Sequence, residues 1–498
     1  MKNLLLIFIA LFTNVLAIHA RTKSGADSLY LAGIFEKADF AQPGDRIECR
    51  IVQNNALHNW AAYIDLYHTN VVDNAFHVQL PAKDENFYIT LSLLKADGKR
   101  IPFNAGNAGS IPFLVSRGDS LHLSISEGST IRFSGKGASK MNCQQEIYLL
   151  QVLSKSRASE LNGLGNKVRF DEYYGLLKEA IEENLRAKLS ILAEYRAQLD
   201  PAVFEIMRSD IVGFQYAKLY RALFMARKFD HPEARQRAIE KLCLAPDPLE
   251  EALGRRRALS PHLVAAYFEK EQWLLTKDYS MLEEKRDFSF GTYFRAIKEG
   301  YSGELRDRLL LTGFLGLVYA RDVYQYQDSS LLLMKDNASK LMLEKWGKRN
   351  APRQQAYAFK LPGLDGSYVS LSDLKGKVLV LDFWFTGCFG CRAMPAAMKP
   401  FIERFKDEKV LFLSVNTDRK KDTWLASSAE ELYTVPGQLE LSTYEQGGVI
   451  HDFVRYYGIR TFPHIMVIDR NGKIVSSKAP DPRFDKGQAL TKMIEELL

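Results

Sequence analysis

Hydrophobic residues follow three successive regimes along this 498-residue chain. From residue 21 to about 138 they alternate with polar ones. Phe76-His-Val-Gln-Leu80, Phe87-Tyr-Ile-Thr-Leu-Ser-Leu93, Leu121-His-Leu-Ser-Ile125 and Ile131-Arg-Phe133 put apolar side chains on one face at every second position, the period of a half-buried strand. Arg117-Gly-Asp-Ser120 and Ser134-Gly-Lys-Gly137 supply turns between them. The pattern predicts a small antiparallel β-sandwich over residues 21–140. From Asn142 to Trp346 the period lengthens to that of helices. Leu177, Ile181, Leu185, Leu189 and Leu192 form one stripe, and Glu and Lys fill the opposite face. Asp200-Pro201 and Ser260-Pro261 are cap-plus-proline helix starts. Residues 141–345 are therefore expected to form a helical domain, with Tyr173, Tyr174, Phe214, Tyr216, Tyr220 and Phe224 in its core. The segment Lys345-Trp-Gly-Lys-Arg-Asn-Ala-Pro-Arg353 reads as a linker. Beyond it, residues 346–498 mix short apolar runs with helical stretches. Lys377-Val-Leu-Val-Leu-Asp-Phe-Trp-Phe385 is nearly all apolar, as a parallel strand buried on both faces requires. Val410 to Asp418 reads as the next strand, and Asp422-Thr-Trp424 opens a helix.

The N-terminus departs from these regimes. Met1-Lys2-Asn3 is a positive start, Leu4 to Phe12 an apolar stretch, and Ala17 or Ala20 closes a small-residue cleavage site. Residues 1–20 read as a secretory signal peptide, which predicts export to the periplasm or cell envelope. An uncleaved anchor is the rival reading, although Thr13-Asn14 interrupts a stretch already short for a bilayer. No cysteine lies beside the cleavage site, so a lipid anchor is not indicated. The apolar run from Leu309 to Ala320, flanked by Arg308 and Arg321, is short enough to be a core helix.

Composition adds little beyond an ordinary globular chain: 46% hydrophobic, 26% charged, net charge +7. The densest basic run, Arg255-Arg-Arg257, has no interleaved aromatics, which argues against a nucleic-acid partner.

The chemistry concentrates in Cys388-Phe389-Gly390-Cys391. Two thiols at this spacing, directly after a buried strand and at the start of a helix, suit interconversion between dithiol and disulfide. A helix N-terminus presents unpaired N–H groups and the positive end of a dipole, which favours a thiolate at Cys388. Half of a zinc site also reads as CxxC, but no second CxxC or HxxxH pair accompanies it; His451 and His464 lie in this part, yet Sco-like copper chaperones pair a histidine with CxxxC, and here the cysteine spacing is two, not three. No metal and no cofactor is expected. Cys49, Cys143 and Cys243 lie far apart in the chain and are read as buried apolar residues.

These residues carry a family resemblance. Phe359 to Lys377 resembles a hairpin and lead-in; Phe383-Trp384, the CxxC and Pro395 resemble an active-site strand, loop and kinked helix. Tyr457-Gly-Ile-Arg-Thr-Phe-Pro-His464, followed by Ile465 to Ile474 with its Asn-Gly turn, resembles a cis-proline segment and strand. Together they look like the thioredoxin superfamily, and within it the TlpA/ResA-like thiol-disulfide oxidoreductases of the bacterial envelope. The resemblance implies an α/β thioredoxin-like C-terminal domain, which with the N-terminal β-sandwich-like domain and middle α-helical domain read from the periodicity makes the chain multidomain. It implies catalytic roles for Cys388 as nucleophile, Cys391 as resolving thiol, Asp382 as a buried acid and Pro463 as the cis-proline. Trp384 is implied to pack beside the dithiol, and Pro395 to kink the helix. A carboxyl in an apolar strand has a raised pKa, so Asp382 could exchange the proton of Cys391. Phe389-Gly390 departs from the Gly-Pro or Glu-Pro pairs common in the family. No histidine lies between the cysteines, which removes the strongly oxidising DsbA-like pattern.

The expected activity is reduction of specific protein disulfides in the cell envelope, with protein thiols as partners, a membrane electron donor, and cytochrome c maturation as the family's typical setting. Membrane association is left open. A partner-binding protein with a regulatory or inactive dithiol is the alternative. A peroxidase is disfavoured, because the Pro-x-x-x-Thr-x-x-Cys pattern is missing: Thr386 stands one residue too close to Cys388, with Asp382 at the proline position.

Overall fold

The computed structural model describes residues 27–37, 40–52, 64–82, 84–96, 98–103, 112–126, 131–150, 170–226, 249–250, 259–276, 288–317, 320, 322–406 and 408–498. The leader segment 1–20, Cys243 and Arg255 to Arg257 lie outside the described residues. The chain divides into two compact units, one of residues 1–51, 65–150 and 190–204, the other of residues 52–64, 151–189 and 205–498.

The first unit is built mainly from strands β1 (Ser28–Phe35), β2 (Arg46–Val52), β3 (Ile64–Asn70), β4 (Ala75–Pro81), β5 (Asn86–Leu94), β6 (Arg100–Pro102), β7 (Phe113–Ser116), β8 (Ser120–Ile125) and β9 (Ile131–Lys136). One sheet has the order β4-β1-β8-β9, the other β3-β2-β5-β6 with β7 also on β5. The expected antiparallel pattern is broken where β1 runs parallel to β8. Leu29, Leu31, Cys49, Phe87, Ile89, Leu121 and Leu123, from both sheets, share one apolar core. Helix α1 (Ala138–Leu149) is tied to β7 by the Gln144 amide, which accepts from Leu114 N and donates to Leu114 O. Cys49 and Cys143 are free and buried, and burial pushes each thiol up to about 12.

Seven helices lie between α1 and the last sheet: α2 (Phe170–Glu194), α3 (Pro201–Ala226), α4 (Pro261–Thr276), α5 (Phe290–Gly300), α6 (Gly303–Gly316), α7 (Gln327–Leu333) and α8 (Asn337–Asn350), counted among the described residues. Asp200 Oδ1 accepts from Ala202 N, and Ser260 Oγ from Leu263 N, as N-caps do. Helices α3 and α4 touch backbone to backbone at Gly213, where a Cβ would lie 2.4 Å from Leu263 N. Helix α6 packs on α4, α5 and α8, and buries Leu309, Leu310, Leu311, Phe314 and Leu315. Helix α8 runs on to Asn350, into the segment read as a linker. The chain after it is hydrogen-bonded rather than loose: Arg353 N donates to Ile474 O, Ile474 N to Gln354 O, and Ala356 N to Gly472 O.

The last part carries a hairpin, β10 (Lys360–Pro362) with β11 (Tyr368–Ser370), and strands β12 (Val378–Trp384), β13 (Val410–Asn416), β14 (Leu439–Ser442), β15 (His464–Ile468) and β16 (Ile474–Ser476). They form a sheet of order β14-β13-β12-β15-β16, in which β12 is parallel to β13 and antiparallel to β15. All seven residues of β12 are buried, because helices cover both faces of the sheet. Alternation along the strand divides its side chains. Leu379, Leu381 and Phe383 pack with Phe453, Val454 and Tyr457 of α11 (Asp452–Tyr457). Val378 and Val380 pack with Met394, Met398 and Phe401 of α9 (Met394–Arg404) and with Leu490 and Ile494 of α12 (Gln488–Glu495). Each such side chain contributes about 1.5–3 kcal/mol of burial. Helix α10 (Lys421–Ala429) completes this part.

Candidate active site

Strand β12 ends at Trp384, and the chain turns through Phe385 to Gly390 before a 3-10 turn at Cys391–Ala393 opens α9. Cys388 and Cys391 are joined as a disulfide within this turn. The N–H of Cys391 is shared between Cys388 Sγ at 3.1 Å and Cys388 O at 3.2 Å, so an N–H of the turn that opens the helix points at this sulfur. That geometry favours the anionic form of Cys388 once the disulfide opens. Cys388 is 5% exposed and Cys391 fully buried. A nucleophilic role for Cys388 calls for an accessible sulfur. It is instead largely covered, because Trp384, Trp424 and Tyr433 pack around the pair.

The turn is fixed from below. Thr386 donates to Asp418 from its N–H and, at 2.5 Å, from its hydroxyl, and Gly387 N donates to the Tyr433 hydroxyl at 2.9 Å. Tyr433 stacks on Trp384 with centroids 4.7 Å apart, and Trp384 Nε1 donates to Ser414 Oγ. Pro395, expected as a kink, sits in the first turn of α9, where its missing N–H had no intrahelical partner to lose. The interior proline is Pro400. Arg392 is exposed.

Asp382 lies on the β12 face that α9 covers, between Val380 and Trp384. It is 1% exposed, and its Oδ1 has no hydrogen-bond partner. Burial holds its pKa well above the usual carboxylate range; Asp481 pushes it further up, and Arg483 opposes them. Pro463 follows a cis peptide bond and stands at the head of β15, in register with the end of β12. A Cβ at Gly390 would lie 3.4 Å from Pro463 Cδ, so this proline faces the dithiol turn. His464, next in the chain, donates Nε2–H to Ser477 O at 2.7 Å, the carbonyl acceptor fixing the tautomer. Burial, with the Lys478 charge, lowers its pKa to about 3, so it is neutral. His451 accepts from Phe453 N and caps α11. Among the described residues no cluster of three His, Cys, Asp or Glu side chains is placed to hold a metal ion.

The cysteines, Trp384 and Pro463 thus meet at the end of β12, and Asp382 lies two residues back from Trp384 on the same strand. Sequence reasoning missed Arg483, Asp481, Tyr433 and Asp418. No local pattern marks these four, because Arg483, Tyr433 and Asp418 reach the turn from distant parts of the chain and Asp481 acts through Arg483.

Residues 352–477 match the AhpC/TSA family. A thiol-disulfide oxidoreductase ResA of Bacillus thuringiensis is 25% identical over 145 residues, covering 29% of this chain and 75% of that protein. The thioredoxin-like protein YneN of Bacillus subtilis is 30% identical over 122 residues, 24% of this chain and 67% of that one. The chain belongs to the thioredoxin superfamily, as a ResA-like thiol-disulfide oxidoreductase in its C-terminal domain. Among solved structures, a putative thiol-disulfide oxidoreductase from Bacteroides vulgatus is 24% identical, covering 30% of this chain and 96% of that one, with TM-score 0.26. A thiol:disulfide interchange protein from Bacteroides sp. is 32% identical over 30% of this chain and 90% of that one, with TM-score 0.25. Within the matched span of this ResA-like domain, the peroxidase cysteine pattern is absent, since Thr386 precedes Cys388 by two residues.

Proposed function

We propose that this protein is exported and reduces specific protein disulfides in the cell envelope. The observation that carries the reading is the Cys391 N–H aimed at Cys388 Sγ, above a buried carboxyl with a raised pKa. In the reduced protein, the Cys388 thiolate attacks a substrate disulfide; one substrate sulfur leaves as a thiolate and takes a proton, and the other is held as a mixed disulfide. The carboxylate form of Asp382, made more basic by burial, accepts the proton of Cys391, whose thiolate then attacks Cys388 Sγ. That step closes the Cys388–Cys391 disulfide and releases the second substrate sulfur, so two electrons have passed to the substrate. Pro463, facing the turn, offers backbone for an extended substrate segment. A membrane electron donor of the dithiol class restores the reduced form. The envelope location rests on the leader-like residues 1–20, and cytochrome c maturation or a similar envelope target is the setting that the family resemblance implies.

The test is the equilibrium reduction potential of the pair, followed by tryptophan fluorescence in glutathione and dithiothreitol buffers. A value at or below about −220 mV supports a reductant. A value near about −120 mV makes the protein an oxidant. Absence of any reversible transition turns the reading to a partner-binding protein whose dithiol does not turn over.

A further inference from the structure

Proline between the cysteines would restrict the dithiol turn, and this chain has Phe389-Gly390 there instead. Glycine adds backbone freedom at that place, yet the turn is held. Arg483, in the stretch between β16 and α12, donates from Nη1 to Gly390 O at 2.7 Å across 93 residues of chain. Asp481 grips the other edge of the same guanidinium. Arg483 Nε donates to Asp481 Oδ1 at 2.9 Å and to Oδ2 at 3.1 Å, and Nη2 donates to Oδ2 at 2.5 Å. Asp481 Oδ1 also accepts from Arg483 N at 3.0 Å. A Cβ at Gly390 would lie 3.4 Å from Arg483 Nη1 and 3.4 Å from Pro463 Cδ. Gly390 is therefore clamped between a cation and the proline that faces the dithiol. Both side chains of the pair are largely shielded, at 22% and 23% exposed.

We propose that Arg483 is a positioning residue for the dithiol: its bond to Gly390 O fixes the turn, and its charge favours the thiolate form of the opened pair. The inference rests on the reading that Cys388 and Cys391 turn over. Reduction breaks the Cys388–Cys391 bond with two electrons from a donor dithiol, which itself closes to a disulfide. The product carries a thiolate that the disulfide lacked. A cation at the first carbonyl of the turn stabilises that product more than the starting disulfide. The Asp481–Arg483 pair is a dipole with its positive end on the turn. The same two groups are the charges that act on Asp382. Arg483 thus bonds the dithiol turn while its charge acts on Asp382.

The experiment titrates the full-length mature protein against glutathione at pH 7 and reads the pH midpoint of iodoacetamide alkylation at Cys388. Arg483→Met removes bond and charge; Arg483→Gln keeps a donor without charge; Arg483→Lys keeps charge without the fork. Near-ultraviolet circular dichroism reports which variants are folded, and Gln carries the test if Met does not fold. The Met or Gln variant is expected to favour the disulfide about ten-fold more than the natural protein, equal to about 30 mV for a two-electron couple. Its alkylation midpoint moves to higher pH, and Arg483→Lys recovers that midpoint. Folded Met or Gln variants whose two curves coincide with the natural protein's overturn the proposal. A natural protein without a reversible transition overturns the oxidoreductase reading, and this inference with it.

Discussion

Replacing Asp382 by Asn tests whether the carboxyl under the dithiol is held neutral. The substitution keeps shape and removes ionisation. Asp382 is 1% exposed, Oδ1 has no partner, and burial leads the causes that raise its pKa. The unfolded chain releases this proton near about pH 3.9, whereas the folded protein keeps it until its raised pKa is passed. Between those two values the folded state holds more protons, so stability falls as pH rises through the window. It is fully present below the unfolded value. The slope is about 1.4 kcal/mol per pH unit for one proton. Urea unfolding of the oxidised protein, from pH 4 upwards, isolates the effect because disulfide sulfurs do not titrate. The unfolding free energy of Asp382→Asn minus that of the natural protein should climb at that slope and level off at the folded pKa. All other titrating groups cancel in the difference. A difference independent of pH across pH 4 to 8 would refute a raised pKa at Asp382, and with it the proton role assigned to this residue.

Three further outcomes follow from the geometry. Cys391→Ser should leave attack by Cys388 intact and trap substrate on it, because the buried position 391 then offers no thiol; mass spectrometry should find a covalent adduct that dithiothreitol removes. Phe389 is 91% exposed between the cysteines. Phe389→Ala should therefore change thermal stability by no more than about 0.5 kcal/mol, yet slow reduction of protein disulfides while sparing glutathione disulfide; equal slowing of both would contradict a substrate contact. Gly448 has φ +68°, and a Cβ there would meet Thr417 O at 2.2 Å. Calorimetry of Gly448→Ala should show a loss of about 2–4 kcal/mol from backbone strain plus crowding.

The parts of this site that depend on local pattern were legible in the sequence. Strand β12 announces itself because seven consecutive buried residues admit one polar member, which singled out Asp382. The CxxC spacing placed both sulfurs, and the Phe-Pro-His run located Pro463. What stayed hidden depends on chain segments meeting across the fold. Arg483 reaches Gly390 over 93 residues and Tyr433 reaches Gly387 over 46, and neither residue type is unusual at its position. Coverage of Cys388 by Trp424 and Tyr433 was missed for the same reason. Strand alternation also carries no direction, so the parallel pairing of β1 with β8 could not be read from spacing. Pro395 was read as a kink because its distance from Cys391 was known but the start of the α-helix was not.

The seam between residues 353–356 and residues 472–474 bears on how this enzyme can be divided. The chain leaving α8 is laid along the edge of the β16 region by paired backbone hydrogen bonds, and Tyr324, from the helical segment, meets Ser477 Oγ at 3.2 Å. Ser477 is also the residue whose carbonyl holds His464, beside Pro463. A fragment begun after Ala356 would strip the edge and leave Ile474 and Gly472 without their pairs. One begun at Asn337 would keep the edge but lose Tyr324. The oxidoreductase is thus spliced to its helical segment rather than hung from it, and its smallest faithful excerpt begins upstream of the span that its relatives share.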